Sequence, residues 1–85
     1  MIPGTPSPEY EARLHEILAA EDWEALREFA RAENQIPDDV YGQDRHFWEV
    51  LLHKLIVNRI DMLGAHERSR AWLDTNGYTG DIGGF

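Results

Sequence analysis

The segment DRHFWEVLLHKLIVNRID, residues 44–61, is the most apolar stretch of this 85-residue chain and constrains its fold more than any other feature. On a helical wheel, at about 100° per residue, its apolar side chains cover about half of the circumference, whereas an ordinary surface helix has a stripe of roughly 100°. Extended to residue 63, this main face contains Phe47, Trp48, Leu51, Leu52, Leu55, Ile56, Met62 and Leu63. Val50, Val57 and Ile60 lie on the opposite side among polar residues. A helix that is apolar nearly all round is normally covered on more than one side.

Two amphipathic helices are predicted before this segment. Ser7 and Pro8 are typical of a helix N-terminus, where the serine hydroxyl accepts a free amide and the missing proline N–H costs nothing. Asp22 is a plausible cap for a second helix with Trp23 on its inward face. Because the connection between the two helices is short, we expect them to form an antiparallel hairpin.

The apolar segment itself predicts a long third helix. We expect it to begin between Asp39 and Asp44 and to run to about Leu63, with Gly64 ending or loosening it. A shorter fourth helix follows over residues 65–77, with Trp72 as its main anchor. Together with Trp23 and Trp48, Trp72 is expected to fill the core.

No segment alternates at period two for long enough to form a sheet, so the predicted fold is all-α, a small bundle of four helices. We expect a flexible N-terminal arm at residues 1–7, a single helical domain at 8–77 and a flexible glycine-rich tail at 78–85. With no cysteine in the chain, disulfides and thiolate metal sites are excluded.

The back of the third helix predicts an interface. The other helices can cover its main face, but so short a chain does not easily cover the back as well. We therefore expect Val50, His53, Val57 and Ile60 to contact a second protein molecule. A homodimer is the economical arrangement, because a two-fold interface needs only one self-complementary patch.

Asn58 and Arg59 interrupt the apolar arc of this helix. One interpretation has Asn58 bonded to a neighbouring backbone and Arg59 lying along the surface with its head group in water. The other pairs a partly buried Arg59 with a carboxylate from the first hairpin, which would fix how the helices dock.

Sixteen acidic residues against eight basic ones give a formal net charge of −8. This balance argues against direct nucleic-acid binding, which depends on phosphate contacts, and against docking on anionic membranes. No signal peptide or membrane span is indicated, so the expected location is the cytoplasm.

His46, Glu49 and His53 share one face of the third helix and are the candidate metal ligands. Their spacing is poor for chelation within one chain, because His46 and His53 are about 10 Å apart along the axis. Across a two-fold axis the same residues would be doubled. We expect no metal and no cofactor, and a solvated face is the simpler interpretation.

Catalysis is not indicated. His15 and His66 each have a nearby carboxylate, but such surface pairs are ordinary. Ser69 has no activating residue that the sequence reveals. The sequence therefore predicts a small acidic protein–protein interaction or regulatory module, not an enzyme, that is homodimeric through the third helix. A small metal-binding protein and an acidic inhibitor of a basic or nucleic-acid-binding partner are the alternatives.

Overall fold

The computed structural model describes residues 7–79 of the chain. Residues 1–6 and 80–85, most of the predicted arm and tail, lie outside the described residues. The described residues form helices α1 (Pro8–Ala19), α2 (Trp23–Asn34), α3 (Asp38–Tyr41), α4 (Arg45–Val57) and α5 (Leu63–Thr75), with a 3₁₀ helix (Ile60–Met62) before α5. No strand occurs between residues 7 and 79, and the all-α prediction is confirmed.

The helix N-termini follow local capping rules. The Ser7 hydroxyl accepts a hydrogen bond from the amide of Tyr10 at 3.1 Å, and the Asp22 carboxylate accepts one from the amide of Ala25 at 3.1 Å. Asp44 caps α4 in the same way, at 3.0 Å from the amide nitrogen of Phe47. Each cap satisfies a backbone N–H that the helix itself leaves without a partner. The predicted starts of the first two helices are therefore confirmed.

The prediction that the third helix runs to about Leu63 is wrong. The helix, α4, ends at Val57, and the side-chain amide of Asn58 donates to the carbonyl oxygen of Lys54 at 2.7 Å. Arg59 is extended, with φ −108° and ψ 122°, and this reverses the direction of the chain. Gly64 does not end a helix, because it lies in the first turn of α5.

The helices enclose two apolar clusters, one on each side of α4. The larger cluster is formed by α1, α2, the main face of α4 and the end of the 3₁₀ helix; its buried members are Leu14, Ile17, Leu18, Leu26, Ala30, Trp48, Leu52, Ile56 and Met62. The smaller cluster contains Val50, Val57 and Leu73, with Trp72 and Tyr78 packed against it. Helix α5 therefore covers the back of α4 within the same chain.

This packing corrects the premise of the predicted interface. Val50, His53 and Val57 are all buried, and α5 supplies the cover that was expected from a second molecule. Of the four predicted interface residues, Ile60 alone is exposed. The sequence reasoning underestimated how much of α4 a single additional helix can cover once the chain reverses at Arg59.

Two of the three tryptophans, and Tyr78, differ from expectation. Trp48 is fully buried in the larger cluster, whereas Trp23 and Trp72 are partly exposed at the edges of the larger and the smaller cluster. Tyr78, expected in a loose tail, packs on the smaller cluster, and its amide donates to the carbonyl of Leu73 at 2.9 Å. The buried ammonium group of Lys54 lies 5.7 Å from the centre of the Tyr78 ring. The folded domain therefore extends to this tyrosine.

Between residues 7 and 79, no helix has the length and apolar character that crossing a membrane requires.

Candidate functional site

The predicted metal ligands are engaged with three different partners. His46 Nε2 lies 3.2 Å from the Tyr78 hydroxyl, and Glu49 accepts a hydrogen bond from Arg45 Nε at 2.9 Å. His53 points instead into the α4–α5 interface. Within the described part of the chain, no group of three or more histidine, aspartate or glutamate side chains is arranged to hold a metal ion. The geometry gives no support to a metal site in a single copy of the chain.

A buried serine–histidine pair joins α4 to α5. Ser69 Oγ lies 2.9 Å from His53 Nδ1, and Glu21 Oε1 lies 3.9 Å from His53 Nε2. The His53 ring also stacks on Trp72, with ring centres 4.5 Å apart. Glu21 is held at the α1–α2 turn with φ 52° and forms an ion pair with Arg68. The cluster thus connects α4 and α5 to the turn between α1 and α2.

The electrostatics of this cluster keep His53 neutral near pH 7. Burial lowers the pKa of His53 below its usual 6.5, and the nearby carboxylates of Glu21 and Glu49 oppose this only in part. A carboxylate can only accept hydrogen bonds, so the favoured tautomer carries its proton on Nε2, facing Glu21. His53 Nδ1 then accepts a hydrogen bond from the Ser69 hydroxyl.

The Ser69 hydroxyl donates to His53, as the hydroxyl of a serine nucleophile donates to its general base. The buried pair, however, has no access to a substrate. Ser69 is only 1% exposed and lies against α4. A nucleophile must reach the reacting atom of its substrate. We therefore assign His53 and Ser69 a structural role, which is to seat α5 on α4. Sequence reasoning missed this pair, although Ser69 shares an inward helix face with Leu73, four residues on.

Arg59 forms the second polar connection. Its Nη2 lies 2.8 Å from Glu11 Oε2 on α1 and 3.1 Å from Asp61 Oδ2, and the side chain is 17% exposed. Hydrogen bonds from Arg59 are the main cause of the lowered pKa of Asp61, and His15 adds another at 3.1 Å. His66 Nε2 donates to the carbonyl oxygen of Arg59 at 2.7 Å. Of the two interpretations of Arg59, the pairing with a carboxylate of the first hairpin is confirmed.

Two large apolar side chains project from the chain beside Arg59. Ile60 is 88% exposed and Leu63 is 67% exposed. They are three residues apart across the 3₁₀ helix, a spacing that places side chains on the same side of such a turn. We call this pair the apolar corner. The backbone of Gly64 is open next to it, with no atom within 4 Å of where a Cβ would lie.

A pocket of about 280 Å³, partly open to solvent, lies at the larger cluster. Its walls come from α1, α2, α3 and α4 and are nearly all apolar; the residues are Tyr10, Leu14, Leu26, Phe29, Ala30, Asn34, Ile36, Val40, Trp48, Leu51 and Leu55. The Tyr10 hydroxyl donates to Asn34 Oδ1 at 3.2 Å, which joins the first turn of α1 to the end of α2. Trp48 Nε1 is buried and has no hydrogen-bond partner.

Comparisons of the chain with protein-family models, with curated proteins and with solved structures each found no match. The apolar corner and the pocket are therefore two surfaces of the described residues at which a partner or ligand could bind.

Proposed function

We propose that this chain is a protein-interaction module that associates through the apolar corner, Ile60 and Leu63. One observation carries the proposal. Among residues 7–79 these are the two large hydrophobic side chains that remain exposed, and they are neighbours. Single exposed apolar residues are common on protein surfaces, but an adjacent pair at a chain reversal is a candidate contact point.

The energetics of the corner suit a small contact. Fully burying an isoleucine or a leucine side chain contributes about 1.5 to 3 kcal/mol, and a few such residues commonly supply most of the binding energy of an interface. The backbone beneath the corner is already fixed, because Arg59 is bonded to Glu11 through its side chain and to His66 through its carbonyl. A surface that is ordered before binding loses less entropy when it binds.

The proposed partner is a second copy of the chain. A two-fold contact of corner with corner needs a single patch, and it retains Ile60 from the interface that the sequence predicts. Each copy carries a net charge of −8, so the two copies repel each other at low salt. Added salt should therefore strengthen self-association, whereas it would weaken binding to a basic partner.

Sedimentation equilibrium of the full chain tests this proposal. At high salt the mean mass should rise with concentration from 9.8 kDa towards twice that value. The double variant Ile60→Ser/Leu63→Ser should stay at the mass of one chain, because it lacks the apolar contact. Ala32→Ser, at an exposed position of α2, is the matched control and should behave as the wild type. A wild-type chain that remains monomeric at millimolar concentration and high salt would refute self-association.

A further inference from the structure

Five side chains of α2, α3 and the first turn of α4 form a row in which arginine guanidinium groups alternate with aromatic rings. In order along the row they are Arg31, Tyr41, Arg27, Trp23 and Arg45. The guanidinium carbons lie 4.3 and 5.1 Å from the centre of the Tyr41 ring, and 5.5 and 5.8 Å from the centre of the Trp23 ring. These distances are within the range of cation–π attraction. We call this row the arginine–aromatic ladder.

The ladder is built on α2 and fixed by α3. Trp23, Arg27 and Arg31 recur every four residues, which places them on one face of α2. Tyr41 is held against this face because its hydroxyl donates to Glu28 Oε2 at 2.6 Å. Both aromatic side chains are partly exposed, so the ladder is ordered and still accessible. A surface that is ordered before binding loses less entropy when a partner binds.

Most of the N–H donors of the ladder remain available to another molecule. A guanidinium group carries five N–H donors in a planar arrangement that suits a carboxylate. Arg27 Nε donates to Glu28 at 3.4 Å, and Arg45 Nε donates to Glu49 at 2.9 Å. The exposed Arg31 forms no hydrogen bond or ion pair with any residue between 7 and 79. Its donors are therefore open to a carboxylate from outside the chain.

The ladder favours negative charge although the chain as a whole is acidic. Three of the eight basic residues lie in it, in a chain with a net charge of −8. The exposed carboxylate of Glu28 has a lowered pKa, mainly because of the hydrogen bond from Tyr41 and further because of the charges of Arg27 and Arg31. Exposed charges farther away than about 8 Å are largely screened at physiological salt. A carboxylate placed beside these two arginines is therefore stabilised in its charged form, as that of Glu28 is.

We propose that the arginine–aromatic ladder is a docking surface for an acidic peptide segment of a partner protein. Carboxylates of the segment bind the guanidinium groups of Arg27 and Arg31, and its apolar atoms lie on the rings of Tyr41 and Trp23. Arginine, tryptophan and tyrosine are the residue types that most often dominate the binding energy of an interface. Alternate side chains of an extended peptide lie about 6.6 Å apart on one side, which matches the rise of about 6 Å between the two arginines along α2.

Calorimetric titration of the full chain with two capped peptides tests the proposal. One peptide alternates glutamate and serine over about eight residues, and the other has glutamine in place of each glutamate. The wild type should bind the glutamate peptide at low salt, more weakly as salt is added, and should not bind the glutamine peptide. Amide chemical shifts should change in the second half of α2 and in α3. The variant Ile60→Ser/Leu63→Ser should bind as the wild type does, so this proposal and that of the apolar corner can fail separately.

One pair of variants tests the location. Arg31→Gln should weaken binding of the glutamate peptide by about threefold to fivefold, the effect of one favourable exposed ion pair. Arg70→Gln removes the same charge from an exposed position of α5 and should leave the affinity nearly unchanged. Both side chains are exposed, so both variants should fold.

A second pair of variants has the opposite sign. Glu28→Gln should strengthen binding, because Arg27 loses a competing carboxylate while the glutamine oxygen can still accept from Tyr41. Glu33→Gln makes the same change at an exposed position of α2 and measures the effect of net charge alone. It should strengthen binding less than Glu28→Gln does.

Four results would overturn the proposal. Failure of the wild type to bind the glutamate peptide at low salt removes the site. Equal affinity for the two peptides removes the recognition of carboxylates. Equal affinity of Arg31→Gln and Arg70→Gln for the glutamate peptide places it elsewhere on the chain. Loss of self-association in Arg31→Gln would make a second copy of the chain the occupant of the ladder.

Discussion

The substitution Leu73→Ala tests the central structural claim, that α5 covers the back of α4. Leu73 is 1% exposed and belongs to the smaller cluster with Val50 and Val57. Removing three carbons loses about 2.4 kcal/mol of transfer free energy at about 0.8 kcal/mol per methylene. The space left behind adds a cavity term, and buried leucine-to-alanine changes as a class cost about 2.7 to 5 kcal/mol.

We expect a loss near the lower end, about 3 kcal/mol, because α5 is an outer helix and can settle partly into the space. A chain of 85 residues has a total stability of only about 4 to 13 kcal/mol, so this loss is large. Since 1 kcal/mol shifts Tm by about 4 to 8 °C in a domain of this size, Tm should fall by about 12 to 24 °C.

Urea unfolding followed by far-UV circular dichroism measures the effect, at concentrations where sedimentation shows a single chain. Leu63→Ala is the matched control, because it is the same change in the same helix at a side chain that is 67% exposed. It should cost less than about 0.5 kcal/mol. If Leu73→Ala costs less than about 1 kcal/mol, or no more than Leu63→Ala, then α5 does not cover α4 and the reasoning fails.

Two further predictions concern the polar connections. Arg59→Gln should lower the free energy of unfolding by about 1 to 2 kcal/mol, because Arg59 is largely buried where it pairs with Glu11, and the loss should be smaller at high salt. Arg13→Gln is the control and should cost almost nothing, because the Arg13–Glu16 pair is exposed. Equal losses in the two variants would contradict the docking role of Arg59. The pKa of His53 in the folded chain lies below its unfolded value near 6.5, so the unfolded chain binds more protons at this residue as the pH falls. The contribution of His53 to the free energy of unfolding should therefore be complete above about pH 6.5 and be lost as the pH drops through the folded-state pKa. His53→Gln should flatten the fall in stability below about pH 6.5 and His46→Gln should not; an unchanged slope in His53→Gln would refute the assignment.

Local features of the fold could be predicted because they depend on nearby residues. The Ser7 and Asp22 caps were readable from residue type and from position before an apolar pattern. The antiparallel hairpin followed from the short connection between two amphipathic helices, and the Tyr10–Asn34 bond shows that their outer ends meet. These inferences needed no knowledge of distant contacts.

The break in the long apolar segment could not be placed from periodicity, because the apolar pattern continues through it. Asn58 and Arg59 are the available signal, and both are predicted to lie within the helix, whereas they mark its end. Asn58 caps the end of α4 and Arg59 is extended, so the segment expected to form one helix forms α4 and the start of α5, which pack as a hairpin. Because of that reversal, Val50, His53 and Val57 are covered by α5 and not by a second molecule, whereas Ile60 stays exposed.

The partner of His53 also depended on tertiary structure. Ser69 is sixteen residues away in sequence, and no spacing rule connects it to His53 before the reversal at Arg59 is known. The low apolar content of α5 concealed its inward face, which consists of Ser69, Leu73 and the partly buried Trp72. Because Ser69 is polar and has few apolar neighbours in sequence, its burial is not indicated by the sequence.

The polar residues of α4 that first suggested a site are explained by its burial on two sides. A helix covered on both faces must pair the polar groups it carries, since an unpaired buried donor or acceptor costs about 1 to 3 kcal/mol. His53 has Ser69, and His46, at the rim, has the Tyr78 hydroxyl. Within residues 7–79 the exception is Trp48 Nε1, a group that no sequence pattern singles out.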